Sequence, residues 1–375
     1  MDYCGIDVSK GKSEVCILDK DKNILFSDAI KHNLEDFQKL DAHLTKDTII
    51  GMESTGTYSA AIYYYLSQRH TAVYYVDTLQ MYTYARLRYL HIKSDRTDSR
   101  LIAEYLMTEF KRVIPIPMND LKDVTRLYYK TCKYLCKYKK SFLSQLEIIF
   151  PELGQTMFVK KSMGIYQLLL KYPTPKDILE VDDEELLHIM NENMIKSHYT
   201  IKHINKIKEA AKTTVGVPNY PTTCFRQTIE LLMIHQRVKE EIIDNIQILL
   251  GQTPYIKLLE KYGYGVISLA QVVGEVGDVR RFRGHKQFVK YCGFDVSQKQ
   301  SGKMNSVHCF ISKKGSKYLR AIFYQLVPSQ LRSDKEDFYE FYNRLKGKGK
   351  NTRVCMVAVA RKIAVRTYYD MLKCH

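Results

Sequence analysis

The sequence predicts an α/β N-terminal domain with a mixed sheet, then long helices that form a coiled coil, and an α-helical C-terminal domain. Three observations predict this fold class. Short β-rich segments open the chain, helix and strand patterns then alternate, and helical periodicity dominates from residue 93 onward. With 375 residues, 45% of them hydrophobic, the chain is long enough for two or three packed domains and is not largely disordered.

The N-terminal domain is placed at residues 1–110. Its first three β-rich segments, at 3–8, 14–18 and 24–26, are separated by polar stretches with turn residues, which predicts an antiparallel meander. The pattern then predicts a helix at 34–44, a strand at 48–52, a helix at 57–69 and a strand at 72–76. Because helix and strand alternate after the meander, the sheet is expected to be mixed.

Two long amphipathic stretches, at 119–149 and 226–250, carry apolar residues at helical spacing. They would pair in an antiparallel coiled coil or pack against other subunits. We assign residues 111–250 to this helical linker, in which the proline-containing segment 151–225 has no assignable chemistry. Residues 251–375 are predicted to form a helical domain whose helices are separated by glycine-containing turns, including one at 274–277.

The basic charge of the chain is concentrated in two blocks. The formal net charge is +17, but residues 1–110 carry 13 basic and 16 acidic side chains. Residues 111–150 carry nine basic and three acidic side chains, and residues 255–375 carry 24 and nine. A chain that is basic only for solubility would spread its excess, so this distribution favours contact with a polyanion.

The cysteine and hydropathy patterns predict a cytoplasmic protein without a membrane partner. The nine cysteines are scattered and include no C-x-x-C pair, which is typical of reduced thiols and not of a disulfide framework or a zinc module. No apolar run reaches the roughly eighteen residues of a membrane span.

Four acidic residues lie where a metal site is expected. Asp7 is at the end of the first strand, and Glu53 directly follows the strand at 48–52, at the edge where open α/β sheets place their sites. Asp95 and Asp98 are three residues apart at a helix start and share one face. Such carboxylates would converge on Mg²⁺. Each also has a simpler interpretation, as a turn residue for Asp7 or as helix N-terminal acids for Asp95 and Asp98.

Several motifs occur in a fixed order along nearly the whole chain. The N-terminal ones are Gly5-Ile-Asp-Val-Ser-Lys10, Glu53-Ser-Thr-Gly-Thr-Tyr58 and Lys93-Ser-Asp-Arg-Thr-Asp98. The C-terminal ones are Gly263-Tyr-Gly265, Gly277-Asp-Val-Arg-Arg-Phe282, Gly293-Phe294, Ser301-Gly302 and Ile311-Ser-Lys-Lys-Gly315. With these motifs the chain resembles the one-ten insertion-sequence family of DEDD transposases, which includes the Piv DNA invertase and the bridge-RNA-guided recombinases. It departs from the family pattern at Tyr262, Val296 and Gln300.

The resemblance implies an RNase H-like, RuvC-type N-terminal domain in which Asp7, Glu53, Asp95 and Asp98 are catalytic and bind Mg²⁺ or Mn²⁺. It also implies that Ser301 is the nucleophile of a DNA transposase or site-specific recombinase. The implied partners are double-stranded donor and target DNA, a structured guide RNA and further copies of the chain in a dimer or tetramer. The implied location is the nucleoid of a prokaryotic cytoplasm.

A nucleic-acid interface is expected in the C-terminal domain. The G-x-G turn resembles a helix-hairpin-helix, whose backbone N–H groups receive a phosphate. Basic side chains that follow it suit contacts to the phosphate backbone. We also expect the basic stretch at 111–150 to contact the guide RNA. The predicted nucleic-acid-binding residues are Gly263, Gly265, Arg280, Arg281, Arg283, Lys303, Lys313, Lys314, Lys317 and Arg320.

Three other functions compete with this hypothesis. A junction-resolving or other metal-dependent nuclease would use the same carboxylates but water as its nucleophile, and Ser301-Gly302 would then be only a turn. An actin-like sugar or acetate kinase would share the Gly-Ile-Asp-x-Ser motif, but the second half lacks a further glycine-rich phosphate loop. A non-catalytic nucleic-acid-binding protein would need neither the carboxylates nor the serine.

Overall fold

The computed structural model describes residues 1–53, 58–76, 78–87, 95–109, 120–156, 163–192, 199–260, 264–296, 300–301, 304–305, 311–333 and 335–375. The chain divides into two compact units. The N-terminal unit comprises residues 1–118 together with 278–288, and the C-terminal unit comprises residues 119–277 and 289–375.

The N-terminal unit is built on a five-stranded mixed sheet in the order β3-β2-β1-β4-β5. β1, β2 and β3 form the predicted antiparallel meander, and β4 and β5 continue the sheet in parallel with β1. The predicted mixed sheet is therefore confirmed. The strands are β1 (Tyr3–Val8), β2 (Lys12–Leu18), β3 (Ile24–Lys31), β4 (Ile49–Glu53) and β5 (Val73–Val76), and the helices are α1 (Leu34–Asp41), α2 (Ala60–Ser67), α3 (Thr78–Leu87) and α4 (Asp95–Glu109).

The two faces of this sheet have different partners. Cys4, Ile6 and Val8 alternate along β1 and bury their side chains in an apolar cluster with α1 and α2. The opposite face of the sheet packs against α4, and Gly5 makes this packing possible. A β-carbon at Gly5 would lie 2.1 Å from the backbone oxygen of Ser99 on α4, so any larger residue would push the helix away from the sheet.

The described part of the C-terminal unit is helical apart from one short β-ribbon and an isolated β-bridge between Val296 and Ile311. Its helices include α5 (Asp120–Ile149), α6 (Pro151–Thr156), α7 (Met163–Lys171), α8 (Pro175–Leu179), α9 (Asp183–Asn191), α10 (Ile201–Lys212), α11 (Thr223–Gly251) and α12 (Val266–Val276). After α13 (His285–Tyr291), which spans the boundary of the two units, come β6 (Gln300–Ser301), β7 (Met304–Asn305), α14 (Lys317–Ser333), α15 (Glu340–Gly347) and α16 (Thr352–Leu372).

The two longest helices, α5 and α11, pack along each other in opposite directions. Phe142 stacks on Phe225 with the ring centroids 5.5 Å apart, whereas Tyr138, one turn earlier on α5, contacts His235 further along α11. Buried side chains of α7, α9 and α10 complete the core around this pair. The predicted antiparallel pairing of the long helices is thus confirmed within a single chain.

The turn predicted at 274–277 is wrong at its first three residues, because α12 continues to Val276. Gly274 lies inside this helix, and a β-carbon there would approach the backbone of Lys122 on α5 to 2.9 Å. Only Gly277, with a φ of 63°, ends the helix. The glycine at 274 therefore serves a close helix–helix contact.

Two further sequence expectations concern membrane spans and cysteines. Among the described residues, none of the helices combines the length and the apolar composition that a membrane span needs. Of the nine cysteines, the eight that the structure describes are free thiols.

Candidate active site and nucleic-acid interface

Asp7 and Glu53 lie side by side at one edge of the N-terminal sheet. β1 and β4 are parallel, with Ile6 opposite Met52, so the next residues of the two strands are Asp7 and Glu53. Both carboxylates are half-buried. Because side chains alternate along a strand, Asp7 faces the same side as Gly5, which is the side covered by α4. Glu53 shares that side with Gly51, whose β-carbon would contact Leu106 of α4.

The start of α4 lies at the same edge. Tyr3, at the beginning of β1, packs into one apolar cluster with Met107 near the end of α4, whereas Gly5 contacts Ser99 and Ala103. The helix therefore runs antiparallel to β1, and its first turn lies toward Asp7. Asp98 is half-buried one turn before Ile102.

Asp95, the fourth predicted acid, is the first residue of α4, and its side chain lies outside the described part.

Besides Asp7 and Glu53, the side of the sheet that α4 covers carries another carboxylate, which was not singled out from the sequence. Glu14 of β2 is directly opposite Asp7 in the antiparallel pair and is 9% exposed. It is in phase with Cys16 and Leu18, which pack against Ala103 of α4. Lys12 lies 3.5 Å from its carboxylate. Glu14, Cys16 and Leu18 are every second residue along β2, so the sequence could have placed the Glu14 side chain on the same side of the sheet as the other two.

The donor set at this edge consists of carboxylate oxygens, which are the ligands that hard divalent cations such as Mg²⁺ take. No group of three or more acidic, histidine or cysteine side chains close enough to hold a metal ion is found among the residues described, a set that lacks the side chain of Asp95. Asp7, Glu53 and Asp98 are the described residues of this edge that carry carboxylate oxygens, and the chemistry of these donors fits a divalent cation.

Ser301 lies in the short antiparallel ribbon of the C-terminal unit. Its backbone is in β6 and pairs with Met304 of β7, and Gln300 pairs with Asn305. Ser301 is thus the last residue before the two-residue connection at 302–303. The side chain of Ser301 and the whole of Gly302 and Lys303 lie outside the described residues, as do Ser297 and Ser306.

The predicted nucleic-acid-binding residues are divided between the two units. Arg280, in the N-terminal unit, already forms an ion pair with Asp278 at 2.7 Å, and the guanidinium of Arg281 lies over the ring of Phe282 at 4.3 Å. Arg283 is exposed.

In the C-terminal unit, Lys313, Lys314 and Lys317 are exposed within five residues of one another, and Arg320 donates a hydrogen bond to the carbonyl of Lys313 at 3.2 Å. Gly265 is the exposed N-cap of α12, and Gly263 is outside the described residues.

The basic stretch of α5 forms an ordered surface feature. Lys130, Lys133, Lys137 and Lys140 are all exposed and recur at intervals of three and four residues, which places them on one face of the helix. We call these four residues the lysine stripe. It presents four positive charges along about 15 Å of helix, given a rise of about 1.5 Å per residue.

A buried ion pair in the C-terminal unit was also missed from the sequence. Glu275 of α12 is 2% exposed, and its carboxylate accepts hydrogen bonds from Arg126 of α5 at 2.6 and 3.1 Å. Burial opposes the charged form of Arg126, but this hydrogen bond and the charge of Glu275 raise the pKa of Arg126 above its ordinary value. The sequence signal for this buried ion pair was a glutamate within the apolar run at 272–276, where a charged side chain needs a partner.

Comparison with known protein families identifies two matching segments. Residues 4–151 match a family model for DEDD transposases of the IS110 type, described as "Transposase". Residues 257–343 match a second model, described as "Transposase IS116/IS110/IS902 family". No curated protein matches the chain. The first match contains Asp7, Glu53, Asp95 and Asp98, and the second contains Ser301.

Proposed function

Because the chain belongs to the IS110 family of DEDD transposases, and is therefore a DNA transposase with an RNase H-like domain, we propose that it cuts and rejoins DNA through Ser301. In this proposal Asp7, Glu53, Asp95 and Asp98 hold Mg²⁺ or Mn²⁺. The observation that carries the proposal is the placement of Asp7 and Glu53 on adjacent parallel strands, at the sheet edge where α4 begins. We further propose the division into a catalytic domain at 1–110, a helical linker at 111–250 and a serine-bearing domain at 251–375.

The chemistry divides between the serine and the carboxylates. The Ser301 hydroxyl forms a bond to the phosphorus of the scissile phosphodiester, the bond from phosphorus to the leaving deoxyribose oxygen breaks, and the serine proton ends on that oxygen. A hydroxyl of the second DNA strand then attacks the phosphoserine, the bond from phosphorus to the serine oxygen breaks, and the proton of that hydroxyl returns to Ser301. Because one phosphoester bond is formed for each one broken, strand exchange needs no external energy. A bound divalent cation would neutralise charge on the phosphate as this bond forms. The carboxylates hold that ion.

The basic residues of the C-terminal unit would position the DNA. Lys313 and Lys314, within the motif at 311–315, and Lys317, just after it, are exposed, so their long cationic side chains can reach phosphates. Arg320, whose guanidinium supports the backbone of Lys313, would fix this segment as well as contact phosphate. We assign the same positioning role to Gly263, Gly265, Arg280, Arg281, Arg283 and Lys303.

The lysine stripe is proposed as the contact for a structured guide RNA that specifies donor and target DNA. The stripe is separate in sequence from the serine motifs, and cutting DNA alone gives it no role. We also propose that the active species is a dimer or tetramer. Action on chromosomal DNA would place the protein at the nucleoid.

A metal-dependent nuclease that activates water is the second candidate, because the carboxylate edge would serve that chemistry equally well. A recombination assay separates the two. The purified chain is incubated with Mg²⁺, donor and target DNA, and RNA transcribed from the DNA flanking the gene. The proposal expects joined products from the wild type and none from Ser301→Ala or Asp7→Ala. Cleavage without joining that persists in Ser301→Ala would establish the water-activating nuclease instead.

A further inference from the structure

Two stretches of chain that flank the Ser301 motif in sequence lie side by side in the C-terminal unit. Residues 291–296 run antiparallel to residues 311–316, and we call this pair the stem. Val296 forms an isolated β-bridge with Ile311, and the backbone N–H of Ser312 donates to the carbonyl of Asp295 at 2.7 Å. The hydroxyl of Ser312 also donates to the Asp295 carboxylate.

At the base of the stem, the backbone of residues 315–316 lies very close to the backbone of Tyr291. The N–H of Ser316 donates to the carbonyl of Tyr291 at 2.8 Å. Gly315, with a φ of 141°, lies where a β-carbon would meet that same carbonyl oxygen at 2.3 Å. The position therefore requires glycine. β6 and β7, which contain Ser301, lie between the two arms of this stem in the sequence.

Both arms of the stem connect to Glu275. The hydroxyl of Ser316 donates to Oε2 of Glu275 at 2.9 Å and accepts from the N–H of Leu319 at 3.2 Å, which caps the start of α14. From the other arm, the hydroxyl of Tyr291 donates to the backbone carbonyl of Glu275 at 3.3 Å. One residue of α12 thus holds the two sides of the stem together.

Glu275 is itself fixed from α5. Its two oxygens accept from Nε and Nη2 of Arg126 in a bidentate pair, and the guanidinium of Arg126 lies 4.6 Å from the ring centre of Tyr318 on α14. Gly274 lets α12 approach α5 closely beside this pair. A buried carboxylate with this many partners has one orientation, because any other would leave charges unpaired in a low-dielectric interior.

We propose that Glu275 is a positioning residue for the Ser301 nucleophile. By holding Ser316 and Tyr291, Glu275 fixes the stem from which the serine ribbon extends, and Arg126 fixes Glu275. The inference rests on the proposed function in taking Ser301 as the nucleophile. A serine must lie close to, and in line with, the phosphorus that it attacks, and a displacement of about 1 Å can cost about 100-fold in rate.

The test uses the full-length chain and combines two measurements. The first is the single-turnover rate of covalent Ser301–DNA adduct formation at saturating DNA, together with the Kd for DNA. The second is hydrogen exchange of the peptide that contains residues 300–305. Glu275→Gln keeps the size of the side chain and removes its charge, and Ser316→Ala removes the link to the stem. Ser316→Thr retains a hydroxyl, which should rescue both measurements.

Glu152→Gln is the matched control. Glu152 also ties down a loop of the C-terminal unit, because it accepts from the hydroxyl of Thr214 at 2.7 Å and the N–H of Val215 at 2.9 Å. Its partners lie outside the stem, so this change should leave the adduct rate and the exchange of residues 300–305 unaltered.

We expect Glu275→Gln and Ser316→Ala to slow adduct formation by about 10- to 100-fold with Kd changed less than about twofold, and to speed exchange at 300–305. Unchanged exchange in both variants would overturn the inference. So would a rate loss in Ser316→Thr as large as that in Ser316→Ala. A different outcome is that the wild type forms no Ser301 adduct while Glu275→Gln still speeds hydrogen exchange at 300–305. That result would show that the serine mechanism is wrong, and the role of Glu275 in catalysis would then be wrong as well.

Discussion

Asp7 and Glu53 each stand one residue beyond a paired position, Ile6 opposite Met52, on adjacent parallel strands. The two carboxylates are 46 residues apart in the sequence, yet the strand register alone sets them next to each other on the side facing α4. Their side chains bring to one edge the carboxylate oxygens that hard divalent cations take as ligands. This relationship supports the proposed divalent-metal site.

Removing either carboxylate should abolish DNA cleavage without abolishing DNA binding. We expect Asp7→Asn and Glu53→Gln to lower cleavage by about 100-fold or more, because the ion that neutralises the phosphate would lose a ligand. Chelation with EDTA should have the same effect on wild type, and added Mg²⁺ should reverse it. Cleavage is measured on labelled DNA, and binding by gel shift.

Asp28→Asn is the matched control for these variants. Asp28 is an acid of the same sheet, on the edge strand β3, and it pairs with Lys39 of α1 at 2.8 Å. Its loss should leave cleavage within about twofold of wild type, since exposed pairs of this kind contribute little. Full activity in Asp7→Asn would show that the edge holds no catalytic metal.

Gly5→Ala should destabilise the N-terminal unit. Its new methyl group would lie 2.1 Å from the oxygen of Ser99 and 2.5 Å from the nitrogen of Ala103, both backbone atoms that cannot rotate away. We expect a loss of about 2–3 kcal/mol in unfolding free energy, measured by urea titration, with loss of cleavage because α4 carries Asp95 and Asp98. Gly154→Ala, a helix position with open space, should be neutral or stabilising. Equal stability of the two variants would contradict the packing described.

The lysine stripe should govern RNA affinity. Replacing Lys130, Lys133, Lys137 and Lys140 with glutamine should weaken binding of the flanking RNA. It should also lower the slope of log affinity against log salt by about 0.7 to 0.9 for each lost phosphate contact. The control replaces four exposed lysines of α8 and α10 by glutamine, namely Lys176, Lys202, Lys206 and Lys212. Equal losses in the two sets would mean that net charge, and not the stripe, determines binding.

Thiol reactivity should follow burial. Cys136 and Cys224 are exposed, whereas Cys4 is fully buried, and burial raises its thiol pKa far above the ordinary value. Because the thiolate is the reactive form and a reagent must reach it, alkylation of the native protein should label the two exposed cysteines and leave Cys4 unlabelled. Mass spectrometry of the alkylated native protein identifies the sites. Labelling of Cys4 as fast as Cys136 would contradict the N-terminal fold.

The sequence predicted those strands and helices in which buried apolar residues recur at regular intervals. The strands β1 and β4 and the helices α5 and α11 were found within a few residues because their apolar positions repeat with the period of their structure. β3 extends to Lys31, well beyond the predicted 24–26, because an exposed edge strand with Ser27 and Asp28 carries little apolar signal. The two-residue strand at Ser301 is too short to show any period.

The parts that sequence could not supply depend on distant contacts. Gly274 has the appearance of a turn residue, and only the backbone of Lys122 passing beside it explains a glycine within a helix. The role of Glu275 depends on Arg126, which is 149 residues away in the chain. Local periodicity carries no information on such pairs, and a buried charge is recognised only when its partner is located.

In the proposed mechanism Ser301 becomes covalently joined to DNA, and this step requires the carboxylates. The most direct measurement is a denaturing gel of end-labelled DNA incubated with Mg²⁺, flanking RNA and either wild type, Ser301→Ala or Asp7→Asn, followed by peptide mapping of any adduct. We predict a protein–DNA adduct at Ser301 in wild type alone. Cleaved DNA without an adduct in wild type, with equal cleavage by Ser301→Ala, would contradict the serine mechanism.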